Sequence, residues 1–293
     1  MILGREIWFI IEVMLNDFSQ YYESLAPILI AAGELIMAQR MNYGRVIEKE
    51  KNEIVTAADL LAHKYVTEKL QEIFPQIPIY SEEEKEYKSD APTRWILDPL
   101  DGTTPWVWGN SGFAISLALE ENGEIVLGAI YDPVMKELFW AEKGQGAWRN
   151  GEKIMVAGEV AREKMLMVID WGYKDEKRAE GLKYLQHFLL PEMFGSRIVP
   201  QWAPALGFCR LAEGRIHAIV CNDTWEEDHS AGALIVREAG GVVSNFYHHE
   251  SFNHREYGVI VTNNPENHQA IVDHLKEVGI ETKPSRGGRI FDQ

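Results

Sequence analysis

The sequence predicts a mixed α/β protein with an antiparallel sheet in its first half and an α/β arrangement in its second half. Residues 113–154 alternate like a meander of strands, with turns at Asn122-Gly123, at Asp132-Pro133 and around Gly144 to Gly146. After about residue 155, short apolar runs such as "KMLMVID" and "YGVIVTN" alternate with helical stretches, which is typical of a mostly parallel sheet. These helical stretches cover 174–189, 202–213, 228–239 and 265–278. We therefore divide the chain into domains 1–154 and 155–293.

Two helices are predicted before the meander. Residues 5–40 repeat apolar positions at three- and four-residue steps, which favours an amphipathic first helix from Ile7 to about Met37. Thr56 is a suitable N-cap for a second helix, and Pro75 ends it. The short runs "IPIYSEEE" and "RWILD" then indicate strands, each ending in acidic residues.

Charge and cysteine content restrict the partners. The chain has 293 residues with 45 acidic and 29 basic side chains, a formal net charge of -16. Such a surface repels nucleic-acid phosphates and anionic lipid, so we expect neither nucleic acid nor membrane as a partner. The N-terminal apolar run is interrupted by Glu12 and is too short to span a bilayer. Two cysteines form no disulfide framework, so we expect a reduced, cytoplasmic protein.

The segment "WILDPLDGTTPW" (95–106) places two carboxylates directly after a buried strand. The short, rigid Pro99-Leu100 spacer can direct Asp98 and Asp101 into one space. Like charges that close raise each other's pKa unless a cation lies between them. Hard oxygen ligands favour Mg²⁺ or Mn²⁺, so the pair predicts a divalent metal site.

The residues that follow resemble a helix start. We predict Thr104 as N-cap and Pro105 at the first helical position, while Gly102 permits close backbone approach. A helix N-terminus has free N–H groups and a positive dipole end, which suit a phosphate. The alternative is an ordinary capped helix after a polar turn.

Further acids add to the pattern. "SEEEKE" (81–86) follows a strand-like run, and Asp228 opens the small-residue helix "DHSAGALIVREAGG". Each also has a purely structural interpretation, as a solvated charge run and as a helix-dipole partner respectively.

Together these segments resemble the inositol monophosphatase superfamily, the Mg²⁺-dependent phosphomonoesterases related to fructose-1,6-bisphosphatase. The match spans most of the chain, and Asp228 lies ten residues before Glu238 as the family spacing requires. The segments that carry it are "EIVTAAD" (53–59), "YSEEE" (80–84), "WILDPLDGTT" (95–104), the hairpins of "GAIYDPVMKELFWAEKGQGAWRNG", and "EDHSAGALIVREAGG" (227–241). The resemblance implies a layered α/β/α/β/α sandwich and a homodimer.

The resemblance also implies the metal ligands, for two to three Mg²⁺ ions. Glu82, Asp98 and the Leu100 carbonyl would hold the first ion; Asp98, Asp101 and Asp228 the second; Glu82 with water a third. The register of Glu82 against Glu83 is open by one residue.

Substrate binding and catalysis are implied in the same way. Thr103, hydrogen-bonded toward Asp59, would help Glu82 and the metals to activate a water for direct in-line attack, without a covalent phosphoenzyme. The phosphate-binding residues would be Asp101, Gly102, Thr103 and Thr104.

Several positions depart from the family pattern. Inositol-binding members carry a Glu seven residues before the last Asp, where this chain has Cys221. Glu227 stands where the family usually has a Trp before that Asp, and Pro105 stands where the family has an Asn after Gly-Thr-Thr. The substrate segment "QWAPALGF" (201–208) contains bulky Trp202. Phosphate chemistry is therefore better supported than inositol specificity.

We expect Mg²⁺-dependent hydrolysis of a small phosphorylated metabolite. Fructose-1,6-bisphosphatase, histidinol-phosphatase and 3′(2′),5′-bisphosphate nucleotidase activities stay open on the same scaffold. A haloacid-dehalogenase-type phosphatase fits less well, because its aspartates are one residue closer together and lie near the N-terminus. A non-catalytic regulator that binds metal or sugar phosphate is the alternative from another class.

Overall fold

The computed structural model describes residues 20–40, 46–50, 53–84, 91–172, 175–188, 197–199, 203–247 and 251–280. Within these residues the chain is a mixed α/β protein, as predicted. The α-helices are α1 (Gln20–Arg40), α2 (Ala57–Ile73), α3 (Thr103–Val107), α4 (Asp175–Phe188), α5 (Pro204–Ala212), α6 (Glu226–Glu238) and α7 (Pro265–Glu277). The strands of the first half are β1 (Val46–Glu50), β2 (Glu53–Thr56), β3 (Ile79–Ser81), β4 (Thr93–Asp101), β5 (Ala114–Glu121), β6 (Glu124–Asp132), β7 (Glu137–Glu142), β8 (Ala147–Arg149) and β9 (Glu152–Ile154). Those of the second half are β10 (Leu166–Asp170), β11 (Arg197–Val199), β12 (Ala218–Cys221), β13 (Val242–Asn245) and β14 (Val259–Thr262).

A seven-stranded sheet confirms the predicted meander. Its order is β3-β4-β5-β6-β7-β8-β9, antiparallel throughout except for the parallel pair β3–β4. The β5–β6 hairpin turns at Asn122 and Gly123, which both have positive φ, 53° and 83°. Left-handed backbone at both turn positions is what a tight hairpin requires, and Asn-Gly supplies it with little strain.

The second sheet is less parallel than predicted. Its order is β11-β10-β12-β14-β13. Strand β10 pairs in parallel with β11 and β12, but β14 is antiparallel to both β12 and β13. Parallel neighbours need a crossover connection, usually a helix. The described part of the β13–β14 connection contains no helix, so the chain returns antiparallel and the prediction of a mostly parallel sheet is wrong for these pairs.

The two large sheets and their helices form the predicted α/β/α/β/α sandwich. Helices α1 and α2 share one apolar cluster with the outer face of the first sheet. Helices α5 and α6 lie between the sheets in a second cluster, and α4 and α7 cover the far face of the second sheet in a third. A Cβ on Gly128 of β6 would lie 2.5 Å from the Ala231 carbonyl oxygen of α6, so only glycine permits this close approach of helix to sheet.

The N-terminal helices follow the predicted pattern where the structure describes them. Helix α1 is confirmed over 20–40, and the predicted residues 5–19 lie outside the described ranges. By length and composition α1 could span a membrane, but Leu25, Leu29 and Ile36 are fully buried in the protein core. Thr56 caps α2 as predicted, because its hydroxyl accepts from Ala58 N at 3.1 Å. The helix ends at Ile73, before Pro75.

Candidate metal and phosphate site

Three aspartates from two distant parts of the chain converge in one place. Asp98 and Asp101 lie at the end of β4, and Asp228 lies in the first turn of α6. One carboxylate oxygen from each lies within 4.8 Å of those of the other two. Asp98 and Asp101 are buried, while Asp228 is partly exposed. Such a set of oxygens has the spacing and chemistry of a divalent metal site.

Local irregularity in β4 brings the first two aspartates together. The pairing with β5 is regular up to Asp98–Ser116, shifts register, and resumes at Asp101–Ala114. Within the bulge, Leu100 N donates to Asp98 Oδ1 at 2.9 Å. Asp101 is held from the other side, because Ala205 N at the start of α5 donates to its Oδ2 at 2.7 Å. The Pro99-Leu100 spacer thus places both carboxylates on one side of the strand end.

Electrostatics in this cluster favour a bound cation. Burial raises the pKa of Asp98 well above its usual value, and the charges of Glu82, Asp101 and Asp228 raise it further. Burial and the charge of Asp228 likewise raise the pKa of Asp101 well above its usual value, and the Ala205 N–H offsets only part of this. Carboxylates that oppose one another's ionisation in this way are stabilised by a positive ion between them. The donor set therefore fits Mg²⁺ or Mn²⁺.

A second acidic cluster shows the opposite arrangement. Glu120, Glu226 and His254 also bring ligand atoms within 4.8 Å of one another. Here arginines supply the positive charge, since Arg94 and Arg255 contact Glu120 at 2.5 and 2.6 Å. Burial raises the pKa of Glu120, but His254 and the two arginines outweigh it and lower that pKa to about 2. This cluster is a neutralised ion network, not a vacant cation site.

The charge of Glu82, and not that of Glu83, acts on the aspartates of the cluster. Glu82 lies in the turn after β3, where its N–H donates to Leu97 O at 3.2 Å. The charge of Glu82 acts on both Asp98 and Asp101, whereas that of Glu83 acts on Asp59. This distribution favours Glu82 in the predicted ligand register.

The Gly-Thr-Thr-Pro segment forms a helix start, but two residues earlier than expected. Helix α3 begins at Thr103, so the prediction of Thr104 as N-cap is wrong, and Pro105 is the third helical residue. The N-cap is Gly102, with φ 89° in the left-handed region. A Cβ there would lie 2.5 Å from the Gly112 carbonyl oxygen. Both conformation and space require glycine at the turn that leaves Asp101.

Thr103 and Asp59 meet, as the sequence resemblance implies. Thr103 Oγ1 lies 3.0 Å from Asp59 Oδ1 and 3.3 Å from Leu100 O, so its hydroxyl can donate to either. Asp59 Oδ2 accepts from Thr56 N at 2.8 Å and from the Thr56 hydroxyl. Burial raises the pKa of Asp59 to about 6, although these hydrogen bonds lower it in part.

Asp228 has a structural role as well as a place in the cluster. Helix α6 begins at Glu226, two residues before the predicted start. Asp228 Oδ2 accepts from Trp225 N at 2.7 Å, which satisfies a backbone donor ahead of the helix and fixes the carboxylate. The neighbouring His229 is fully buried, and burial lowers its pKa to about 3. His229 is thus a neutral core residue.

One acid near the site was missed by the sequence analysis. Asp170 ends β10, burial raises its pKa to about 6, and its charge raises the pKa of Asp101. Together with Pro204, Cys221 and Thr224 it lines a small cavity beside the cluster. The signal was present, because "KMLMVID", like "RWILD", is a buried strand that ends in an acid.

Comparisons with known proteins agree on one family. The model of the inositol monophosphatase family matches residues 17–279. Nus factor SuhB of Pseudomonas aeruginosa is 33% identical over 253 residues, covering 84% of this chain and 92% of the relative. The fructose-1,6-bisphosphatase/inositol-1-monophosphatase of Thermotoga maritima is 34% identical over 230 residues, covering 75% and 82%. The solved structure of the extragenic suppressor protein suhB from Bartonella henselae has a TM-score of 0.80 at 29% identity and covers 88% of this chain and 99% of its own.

Proposed function

Because this chain belongs to the inositol monophosphatase family, we propose that it hydrolyses a small-molecule phosphate monoester with the help of Mg²⁺. The observation that carries the proposal is the convergence of Asp98, Asp101 and Asp228, whose carboxylate oxygens lie within 4.8 Å of one another. A buried cluster of like charges is costly to keep ionised unless a cation is bound. The cluster lies beside the start of α3, whose N-cap is Gly102, and an anionic substrate can approach there.

Each nearby side chain has a proposed task. Asp98, Asp101 and Asp228, with Glu82 and the Leu100 carbonyl, hold the metals. When bound, Mg²⁺ lowers the pKa of water and offsets the charge of the phosphate. Gly102, Thr103 and Thr104, with Asp101, contact the phosphate oxygens.

Thr103 and Asp59 form the proposed proton-handling pair. Asp59 accepts from the Thr103 hydroxyl at 3.0 Å, so the Thr103 oxygen can orient a water and take a proton from it while the hydroxyl proton of Thr103 passes to the Asp59 carboxylate. Asp59 itself is oriented by Thr56, which donates through both its backbone N–H and its hydroxyl. Two successive hydrogen bonds thus connect the start of α2 with the start of α3.

The surroundings of Cys221 bear on the leaving group of the substrate. Cys221 stands where inositol-binding members have a Glu, and it is fully buried beside the cavity that Asp170 also lines. Burial raises the pKa of the Cys221 thiol well above its usual value, so it offers no anionic acceptor for hydroxyl groups. We therefore propose a sugar phosphate or bisphosphate, histidinol phosphate or a 3′-phosphorylated nucleotide alongside inositol phosphate.

Phosphate release from a panel of these esters tests the proposal. With Mg²⁺ present, we expect at least one ester to be turned over and Asp101→Asn to lower kcat/KM at least about 100-fold, the equivalent of about 3 kcal/mol of transition-state stabilisation. Asp132→Asn is the matched control, because Asp132 is equally buried but pairs with Arg210. Turnover that survives Asp101→Asn undiminished would contradict the site.

A second candidate function comes from the relatives named Nus factor SuhB, which are not named for hydrolysis. It corresponds to the non-catalytic regulator that the sequence left open. Binding of Mg²⁺ without turnover of any ester in the panel would favour this candidate. A homodimer and a cytoplasmic location are further proposals, and light scattering of the purified protein tests the first of them.

A further inference from the structure

Arg94 joins the two halves of the candidate metal site. It lies on β4, four residues before Asp98, and its side chain is only 4% exposed. Its Nε donates to Glu120 at 2.5 Å on the neighbouring strand. Its two terminal nitrogens face the carboxylate of Glu226 at 2.5 and 3.3 Å. Glu226 is the first residue of α6, so this fork holds the helix that carries Asp228 against the strand that carries Asp98.

Two more contacts hold the next residue of the same helix. Tyr80 OH donates to Glu227 Oε2 at 3.0 Å, and Ser116 Oγ donates to the Glu227 carbonyl oxygen at 3.1 Å. Tyr80 lies two residues before Glu82, and Ser116 pairs with Asp98 across the sheet. Arg94 also packs on the Tyr80 ring, 5.3 Å from its centroid. Each contact therefore lies within a few residues of a proposed metal ligand on both sides.

The contacts act against a repulsion. The carboxylate oxygens of Asp98, Asp101 and Asp228 lie within 4.8 Å of one another, so these like charges repel one another without a cation. Asp228 is the one member contributed by the second half of the chain, so repulsion acts to move the start of α6 away from β4. A buried bidentate arginine pair resists that movement better than a single point contact.

We propose that Arg94, with Tyr80 and Ser116, is a positioning clasp that keeps Asp228 within ligand distance of Asp98 and Asp101 before metal binds. The clasp rests on the proposed metal site and adds residues outside it that set its affinity. A preorganised site binds metal more tightly because no ordering cost is left for the binding step. Residues that orient ligands from behind typically change metal affinity about 10- to 100-fold when they are mutated.

Charge alone predicts the opposite effect, which makes the proposal testable. Removing the positive charge of Arg94 would strengthen cation binding if only long-range electrostatics mattered, because the nearby field becomes more negative. Loss of the clasp would weaken binding. Arg94→Lys keeps the positive charge but loses the two-nitrogen contact with Glu226, whereas Arg94→Gln loses both. The two variants therefore separate an effect of charge from an effect of the clasp.

The experiment is a titration of the full-length, metal-free protein with Mn²⁺, followed by the EPR signal of free Mn²⁺. We expect Arg94→Lys to raise the Kd about 10-fold, and Arg94→Gln to raise it at least as much. The matched control is Arg149→Lys, which alters another partly buried ion pair, with Glu213 at 2.6 Å, on β8, four strands away from β4 in the sheet. It should leave the Kd unchanged while lowering the Tm to a similar extent.

Tyr80→Phe is the third test variant, because it removes one hydroxyl and keeps the ring under Arg94. It should weaken Mn²⁺ binding several-fold without loss of folding. Affinities of Arg94→Lys and Tyr80→Phe equal to that of the unmodified protein would overturn the clasp, as would tighter binding by Arg94→Gln. A protein that binds Mn²⁺ but hydrolyses no ester would refute the proposed function and leave the clasp intact. Absence of Mn²⁺ binding by the unmodified protein would overturn both.

Discussion

The buried carboxyl group of Asp59 should make the metal-free protein less stable as the pH rises. Its pKa in the folded protein is raised from 3.8 to about 6, chiefly by burial. Between these two values the folded state binds this proton more tightly than the unfolded chain does. The stabilising contribution is therefore fully present below about pH 4 and is lost as the pH passes through 6.

The magnitude follows from the size of the shift. A difference of about two pKa units corresponds to about 3 kcal/mol over the complete titration, of which about 2 kcal/mol falls between pH 4.5 and 7.5. Asp59→Asn cannot titrate. Its free energy of unfolding should therefore gain about 2 kcal/mol relative to the unmodified protein across that range.

The loss of hydrogen bonds by Asp59→Asn does not obscure this test. An asparagine keeps one acceptor oxygen but loses part of the contacts to Thr56 and Thr103, which lowers stability by about 1–2 kcal/mol. That loss is nearly the same at every pH. The test is therefore the change with pH in the difference between the two free energies of unfolding, not its absolute size. The other acids of the site are present in both proteins and largely cancel in the comparison.

Urea denaturation in EDTA at several pH values measures the effect. Asp273→Asn, which removes an exposed carboxylate on α7, controls for the change in net charge. A direct check is the carboxyl ¹³C shift of Asp59 in the unmodified protein, which should titrate with a midpoint near 6. A midpoint near 4, or a stability difference that stays flat from pH 4.5 to 7.5, would refute the reasoning.

Three further predictions concern the same region. Gly102→Ala should lower the free energy of unfolding by at least about 2 kcal/mol, because Gly102 has φ 89° and an added Cβ would collide with a backbone carbonyl. Gly109→Ala is the control: its φ is 78°, but its Cβ would meet no atom within 4 Å. Gly109→Ala should therefore lose less free energy of unfolding in the same urea assay. Cys209 and Cys221 should resist a thiol reagent at pH 8 and react only after unfolding in guanidinium, since burial raises the pKa of both thiols; rapid reaction of the folded protein would contradict this. Asp98→Asn should raise the Tm of metal-free protein at pH 8 and abolish the increase in Tm expected with Mg²⁺, because it relieves the repulsion and removes a proposed ligand. A Mg²⁺-induced Tm increase of undiminished size in differential scanning fluorimetry would count against the proposed role of Asp98.

Local sequence was sufficient for some features of the fold and the site. The positive-φ turn at Asn122 and Gly123 and the N-cap at Thr56 depend on neighbouring residues alone, and both were predicted. The proximity of Asp98 and Asp101 also follows locally, since a two-residue spacer after a strand leaves little freedom.

Features that depend on distant residues could not be derived in this way. Nothing in the sequence around Asp228 shows that α6 lies between two sheets against β4, and its place in the site came only from the family resemblance. The antiparallel direction of β14 depends on how the chain returns after β13. The N-cap is Gly102 and not Thr104, at a turn that packs against the backbone of Gly112, ten residues further along the chain.

The two acidic clusters show why the aspartates, and not acidic residues in general, mark the site. Glu120 is as buried as Asp98, and both have carboxyl neighbours. The chain places Arg94 and Arg255 against Glu120, which lowers its pKa to about 2 and makes its charge permanent. The charged side chains that act most strongly on Asp98 are all acidic. The negative charge of Asp98 therefore needs a bound cation to balance it. Arg94 belongs to the neutralised cluster and also holds the start of α6 through Glu226. The Glu120 cluster therefore helps to position Asp228 in the aspartate cluster that is proposed to bind a cation.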